Sequence, residues 1–376
     1  MKRFSIILFG ALAILVASCS KHAQPEPEFE PWVNDLSLPV PIQFGTPNLV
    51  SPDTKAAPIS DASKLEGKRI GVFAIDKLSK DWTKPESILM NNVIASSDGK
   101  NITFSPAQYY PVKSDKKFTF YGYYVYSAAV GNESDFGEPT PKVDENGYYV
   151  TLPMGNIDYL WAKSEASTYT NSTGESFDGF NAKYIREITK GGDDALKDYM
   201  PKFEFKHITA GVDIKVQADP QEDGQDFSDI QICSVCVDDA VTSAKLCIAH
   251  KTNLNKEEGT FVSASTTKGK IEMTAGDNNT VWLQNAGKFT PTTQGVTVGH
   301  GLFLYPEVTY KVTVYYMSNA TNKKWTPFTF TTDVLKAGHK YTYTLLFHAS
   351  KAIDISVSVT DWTPETGATM DTSEGA

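Results

Sequence analysis

The sequence predicts a mostly β protein of two domains, and three observations carry that expectation. Aromatic residues are abundant, with 18 Tyr, 20 Phe and 6 Trp among many Thr and Val, and such side chains suit a pleated, half-buried surface better than a helix. Apolar residues recur at period two in short runs punctuated by turn residues, the pattern of a sandwich or barrel. The chain has 376 residues, and at about 150 residues per domain that length favours two cores. The expected boundary divides residues 36–205 from 206–365.

Residues 1–18 read as an export signal. Lys2 and Arg3 open it, an apolar core runs from Phe4 to Val16, and Val16-Ala17-Ser18-Cys19 forms a lipobox. The core is too short to span a bilayer comfortably. Cleavage there leaves Cys19 as the first residue, carrying acyl chains that anchor it to membrane lipid at about 0.8 kcal/mol per buried CH₂. The plainer alternative is an ordinary signal peptide ending near a cysteine. No other segment is long and apolar enough to be transmembrane.

Residues 19–35 are polar and proline-rich, with Pro25, Pro27 and Pro31 among Glu26, Glu28 and Glu30. They are expected to be a flexible tether. In 36–44, Leu36, Leu38, Val40, Ile42 and Phe44 alternate with Ser37, Pro39, Pro41 and Gln43, one apolar face of an extended strand. Pro39 and Pro41 cannot donate ladder hydrogen bonds, which restricts the strand to an edge or to a partly paired position. Two readings stand: a plain first strand, or one that can be removed. The polar loop 46–63 then presents Lys55 before Ala56-Ala57 among prolines, either a protease site or ordinary surface.

Strands are expected at 69–75, 101–104, 109–111, 117–127, 148–152 and 158–163. The run 117–127 carries aromatics on both faces. Residues 164–200 interrupt the rhythm, with one short helix near 194–199. A second series covers 203–207, 212–216, 230–237, 244–250, 270–274, 280–283, 301–305, 310–317, 326–332, 340–349 and 352–359. In the last, Ile353, Ile355, Val357 and Val359 alternate with Asp354, Ser356 and Ser358. The chain thus begins and ends its folded part with one-faced strands, before a polar tail at 366–376.

Composition narrows the function. A formal net charge of -10 without a dense Lys/Arg stripe argues against nucleic acid. Cys233-x2-Cys236 and Cys247-x2-His250 have the residue types of a zinc site. Within strands, however, residues three apart point to opposite faces. In a hairpin centred near Val241, Cys236 would lie opposite Cys247, so a cross-strand disulfide and buried thiols are both open, and no metal or cofactor is expected. Gly-x-Ser-x-Gly, His-Glu-x-x-His and phosphate-binding glycine loops are missing from the sequence, so no enzyme is expected. Tyr109-Tyr110 and Tyr121-Gly122-Tyr123-Tyr124 either pack a core or form a platform for sugar rings.

An ordered series of segments resembles the fimbrillin family, the lipoprotein pilins of Bacteroidales, in the branch related to minor fimbriae. It runs from the lipobox through Thr54-Lys55-Ala56, Gly71-Val72-Phe73-Ala74, Tyr110-Pro111, Tyr159-Leu160-Trp161-Ala162 and Phe205-Lys206-His207-Ile208. It closes with Leu335-Lys336-Ala337-Gly338-His339-Lys340-Tyr341 and Val359-Thr360-Asp361-Trp362. The resemblance implies two tandem transthyretin-like β-sandwich domains, export as an outer-membrane lipoprotein, and surface fimbriae that adhere to host or bacterial surfaces. It also implies that a trypsin-like protease, usually arginine-specific, removes the lipidated N-terminus with the first strand. Another fimbrial subunit then inserts a donor strand into the vacated groove. On that pattern Leu36, Leu38, Val40, Ile42 and Phe44 are the departing row and Lys55, a lysine rather than an arginine, is the processing point. Either Ile353, Ile355, Val357 and Val359 form the donor strand, or the subunit accepts without donating, which suits a tip or accessory position. The alternative from another class is a monomeric glycan-binding surface lipoprotein.

Overall fold

The computed structural model describes residues 30–45, 48–49, 65–76, 78–124, 139–155, 157–222, 224–252, 257–274, 290–317, 326–350 and 352–361. In the first half the elements are α1 (Pro31–Asn34), β1 (Val40–Pro41), β2 (Asn48–Leu49), β3 (Arg69–Asp76), β4 (Ile88–Ser97), β5 (Ile102–Phe104), β6 (Tyr109–Tyr110) and β7 (Phe118–Tyr124). Next come β8 (Lys142–Val143), β9 (Gly147–Pro153), β10 (Leu160–Ser164), β11 (Tyr169–Thr170), β12 (Ser176–Phe177), α2 (Ala182–Lys190), α3 (Gly192–Tyr199) and β13 (Glu204–His207). The second half holds β14 (Ala210–Ala218), β15 (Gln231–Val241), β16 (Ser243–His250), β17 (Phe261–Ala264), β18 (Lys268–Thr274) and β19 (Val296–Leu304). It ends with β20 (Lys311–Met317), β21 (Thr326–Thr331), β22 (His339–Phe347) and β23 (Ile353–Asp361). Among the described residues no helix is long and apolar enough to cross a membrane.

Two hydrophobic cores organise these strands. The first lies around a seven-stranded sheet, ordered β2-β13-β10-β7-β3-β4-β5, and a four-stranded sheet, β17-β16-β9-β8. Central strand β7 is buried along its whole length, which is why its aromatics occupy both faces. Tyr121 and Tyr123 meet Trp161 and Phe73 on one side, while Phe120 meets Phe44, Tyr110 and Phe180 on the other. The second core lies between the sheets β19-β14-β22-β23 and β18-β15-β20-β21.

Residues 230–250 do not form a hairpin centred near Val241. β15 pairs with β18 and β20, whereas β16 pairs with β9 and β17. The chain changes sheet at Thr242, whose carbonyl accepts from Met154 N–H at 2.9 Å. Hence β16 and β17, in the half that the sequence assigns to the second domain, pack Leu246, Ile248 and Phe261 into the first core. Cys236 lies opposite Glu272 and Thr313, and Cys247 opposite Tyr149. No disulfide joins the thiols of Cys233, Cys236 and Cys247. Burial pushes the Cys247 thiol up to about 12.

Other departures have local causes. β4 escapes the periodic pattern because Asn92 sits at φ 57 within it and shifts its register against β3. The Asn92 amide is buried, donating to the Pro139 carbonyl and accepting from the Tyr123 hydroxyl. Helix α3 falls where one short helix is expected, but α2 precedes it. Asn181 caps α2 by accepting from Tyr184 N–H at 2.9 Å, and Tyr184, Ile185 and Ile188 face the core. The expected tether also ends early, because Val33 of α1 is fully buried. The expected strand at 280–283 lies outside the described residues.

Candidate functional site

The most distinctive site is the N-terminal segment and the groove that holds it. Val40, Ile42 and Phe44 are buried while Pro39 and Gln43 are exposed, so the period-two row is realised over its last three members. Leu36 is exposed and Leu38 half-buried, both preceding β1. Phe44 packs among Phe203, Phe120 and Phe104, with ring centroids 4.7, 5.0 and 6.0 Å away. Burying a side chain of this kind contributes about 1.5–3 kcal/mol, so the row is held mainly by apolar packing.

Among the described residues, backbone pairing of this segment is sparse. β1 runs antiparallel to β6, with Val40 opposite Tyr110 and Pro41 opposite Tyr109. Ile42 N–H donates to the Gln108 carbonyl and Gly45 N–H to the Pro201 carbonyl, each at 2.8 Å. Alternate residues of an antiparallel strand face the same neighbour. Since Ile42 donates toward β6, the nitrogens of Pro39 and Pro41 point away from it. The prolines therefore cost no ladder bond to β6 and remove donors from the opposite edge.

Arg186 of α2 secures the chain just before β1. Its guanidinium donates to the carbonyls of Trp32 at 2.7 Å, Asp35 at 3.1 Å and Leu38 at 2.7 Å. Burial lowers its affinity for the proton from the ordinary value, against the favourable field of Asp35. Sequence reasoning misses this residue; an arginine on the apolar side of a capped helix, in Tyr184-Ile185-Arg186, is the signal that could have found it.

An open cleft of about 810 Å³ borders residues 41–45. Ile102 and Phe104 of β5 form one wall, Leu196 and Met200 at the end of α3 another, and Lys197 and Lys202 also line it.

The second amphipathic strand occupies a different setting. Among the described residues β23 pairs only with β22, at the end of its sheet. Ile353, Ile355, Val357 and Val359 lie opposite Phe347, Leu345, Tyr343 and Tyr341, hence on the inner face. Yet Ile355, Val357 and Val359 are 42%, 41% and 48% exposed, because β21, the last strand of the facing sheet, packs Phe330 against Tyr343 of β22. His348 fastens the turn into this strand. Its Nδ1 lies 2.9 Å from Asp219 and its Nε2 3.1 Å from Asp354, so both ring nitrogens face carboxylates, an arrangement that favours the protonated ring.

Among the described residues, Asp219, Glu222 and His348 form the one group of metal-ligand type. The two ion pairs of His348 account for it, and Glu222 accepts from Ala349 N–H. Cys233, Cys236, Cys247 and His250 do not converge. The tyrosines considered for a sugar platform are packed instead: Tyr110, Tyr121, Tyr123 and Tyr124 are buried, leaving Tyr109 exposed. Cys19 and Lys55 lie outside the described residues.

The sequence model of the family described as fimbrillin-like matches residues 54–362. The chain belongs to the fimbrillin-like family. Membership makes it a fimbrial protein of the cell surface. Among solved structures, this fimbrillin-like chain is similar to a fimbrial protein from Bacteroides vulgatus, at 15% identity over 85% of this chain and 100% of that one, with a TM-score of 0.48. It is also similar to the fimbrial anchor protein Mfa2 from Porphyromonas gingivalis, at 12% identity over 87% of this chain and 99% of the other, with a TM-score of 0.35. No curated protein matches it.

Proposed function

We propose that this fimbrillin-like chain is a structural subunit of adhesive surface fimbriae, exported as an outer-membrane lipoprotein through Cys19 and polymerised by protease-triggered donor-strand exchange. Cleavage after Lys55 frees the segment carrying Val40, Ile42 and Phe44, and Ile353, Ile355, Val357 and Val359 of a neighbouring subunit fill its place. The observation that carries this reading is the pairing of two rows. One is buried but thinly hydrogen-bonded, and the other is paired along one edge and exposed on its apolar face. Strand addition gains affinity from main-chain hydrogen bonds and specificity from alternate side chains. With β23 as donor the subunit both accepts and donates, as a stalk position requires; a tip or accessory position would need acceptance alone. Burial of Tyr121, Tyr123 and Tyr124 weighs against the glycan-binding alternative.

Treatment with a lysine-specific protease should release the acylated N-terminal fragment and yield a ladder of oligomers, and Lys55→Ala should abolish both. A chain that keeps its N-terminus, or that stays monomeric after cleavage at Lys55, would sink the proposal. Metabolic labelling with palmitate should mark the wild type and not Cys19→Ala.

A further inference from the structure

We infer that the open cleft beside Phe44 is the first docking site for β23 of a second copy, entered while β1 still occupies its groove. The inference rests on the donor-strand reading above and adds how exchange begins.

Cleavage at Lys55 would not by itself empty the groove, since Val40, Ile42 and Phe44 stay buried and Arg186 still grips three carbonyls behind them. Complete departure before a donor arrives would expose that row and the rings of Phe120 and Phe203 to water at once. A donor that first gains a foothold next to the resident segment can replace it step by step, so that apolar surface is never wholly bare.

The cleft has the features of such a foothold. It runs along Pro41 to Gly45, the stretch with few backbone bonds, so a strand seated there lies directly beside the row it replaces. Its other side is β5, the terminal strand of the seven-stranded sheet, whose outer edge has no partner strand among the described residues. An open edge of this kind is a template for an incoming strand.

Charge selects the occupant. Among the described residues Lys197 and Lys202 line the cleft and no Asp or Glu does. In β23 the polar positions include Asp354 and Asp361 and no basic residue, and its apolar row is already exposed. Nine residues extend about 30 Å, whereas a cleft of about 810 Å³ is in the range that takes a small ligand or a few side chains. The cleft therefore receives part of β23, and the remainder follows as the resident row leaves.

A fluorescently labelled peptide of residues 352–361 is the probe, titrated by anisotropy into full-length Lys55→Ala chain and, separately, into wild type cut by the lysine-specific protease. The peptide should bind the uncut chain saturably, and binding should weaken with added salt. The double variant Lys197→Glu/Lys202→Glu, on lysines at the surface, should bind about tenfold more weakly, as expected for two attractive surface pairs turned repulsive. A peptide with Asp354→Asn and Asp361→Asn should lose a similar factor. In the chain cut at Lys55 the same lysine changes should slow peptide uptake relative to cut wild type. Binding to the cut chain but not the uncut one overturns the foothold and leaves donor-strand exchange standing. Unchanged binding by the lysine variant also overturns it, and binding to neither form removes both readings.

Discussion

Arg186 and Phe44 hold the N-terminal segment by different physics, and substitutions at the two should be distinguishable. Arg186→Ala leaves the carbonyls of Trp32, Asp35 and Leu38 without their donor, a cost of about 1–3 kcal/mol. Hydrogen exchange should then quicken at Val33 and Ile42, while β3 and β7 keep their protection. Phe44→Ala removes a ring packed among three phenylalanines, a cost of about 3–5 kcal/mol. It should lower the melting temperature of the uncut chain and, after cleavage, accelerate oligomer formation; slower assembly would contradict the groove's role. His348 adds a dependence on pH. The hydrogen bond to Asp354, then the field of Asp219, raise its pKa above the ordinary 6.5. A raised folded value means that the stabilisation is fully present below about 6.5 and is lost as pH rises through the higher folded pKa. An NMR titration should show that raised value. The melting temperature of the wild type, compared with His348→Gln, should lose its advantage across the same rise in pH.

At the scale of elements, β1 and β23 share a pattern and differ in what covers them. Both alternate apolar and polar residues, so periodicity alone marks them as equivalent. The row that begins in β1 meets Phe120 of the seven-stranded sheet and Phe203 just before β13, whereas the row of β23 stands at the edge of its sandwich. Val357→Asp should therefore change the melting temperature of the monomer little, since the side chain is 41% exposed and partly exposed substitutions stay within about 0.5 kcal/mol. The same change should abolish the oligomer ladder, because it places a carboxylate in the acceptor groove. Normal ladders from Val357→Asp would exclude β23 as donor.

Across the whole molecule, the two cores are tied by continuous strands rather than by a linker. Only Thr242 separates β15 from β16, and only Ile208 and Thr209 separate β13 from β14. At the second junction His207 Nδ1 lies 2.8 Å from Asp158, and the Thr209 hydroxyl donates to the same carboxylate at 3.1 Å. A bridge between Gly155 and Phe303 adds another tie. Strands that run straight from one core into the other transmit loss of order between them. Calorimetry should accordingly show one cooperative unfolding transition, and two well-separated transitions would mean that the cores fold independently.

Local rules made much of this visible in advance. Period-two burial marked Val40, Ile42 and Phe44 as one face and Ile353, Ile355, Val357 and Val359 as another, because a strand's side chains alternate whatever surrounds it. The aromatics on both faces of 117–127 were legible in the same way, though not that both faces are covered. What surrounds a strand is a non-local matter. The sheet change at Thr242, the separation of Cys236 from Cys247, the bulge at Asn92 and the reach of Arg186 across about 150 residues of sequence depend on contacts that no local window contains. Sequence by itself determined that the chain is a β protein bounded by two one-faced strands. Only the tertiary structure decided that the first row is sheltered and the last exposed, since shelter depends on which sheet extends over it.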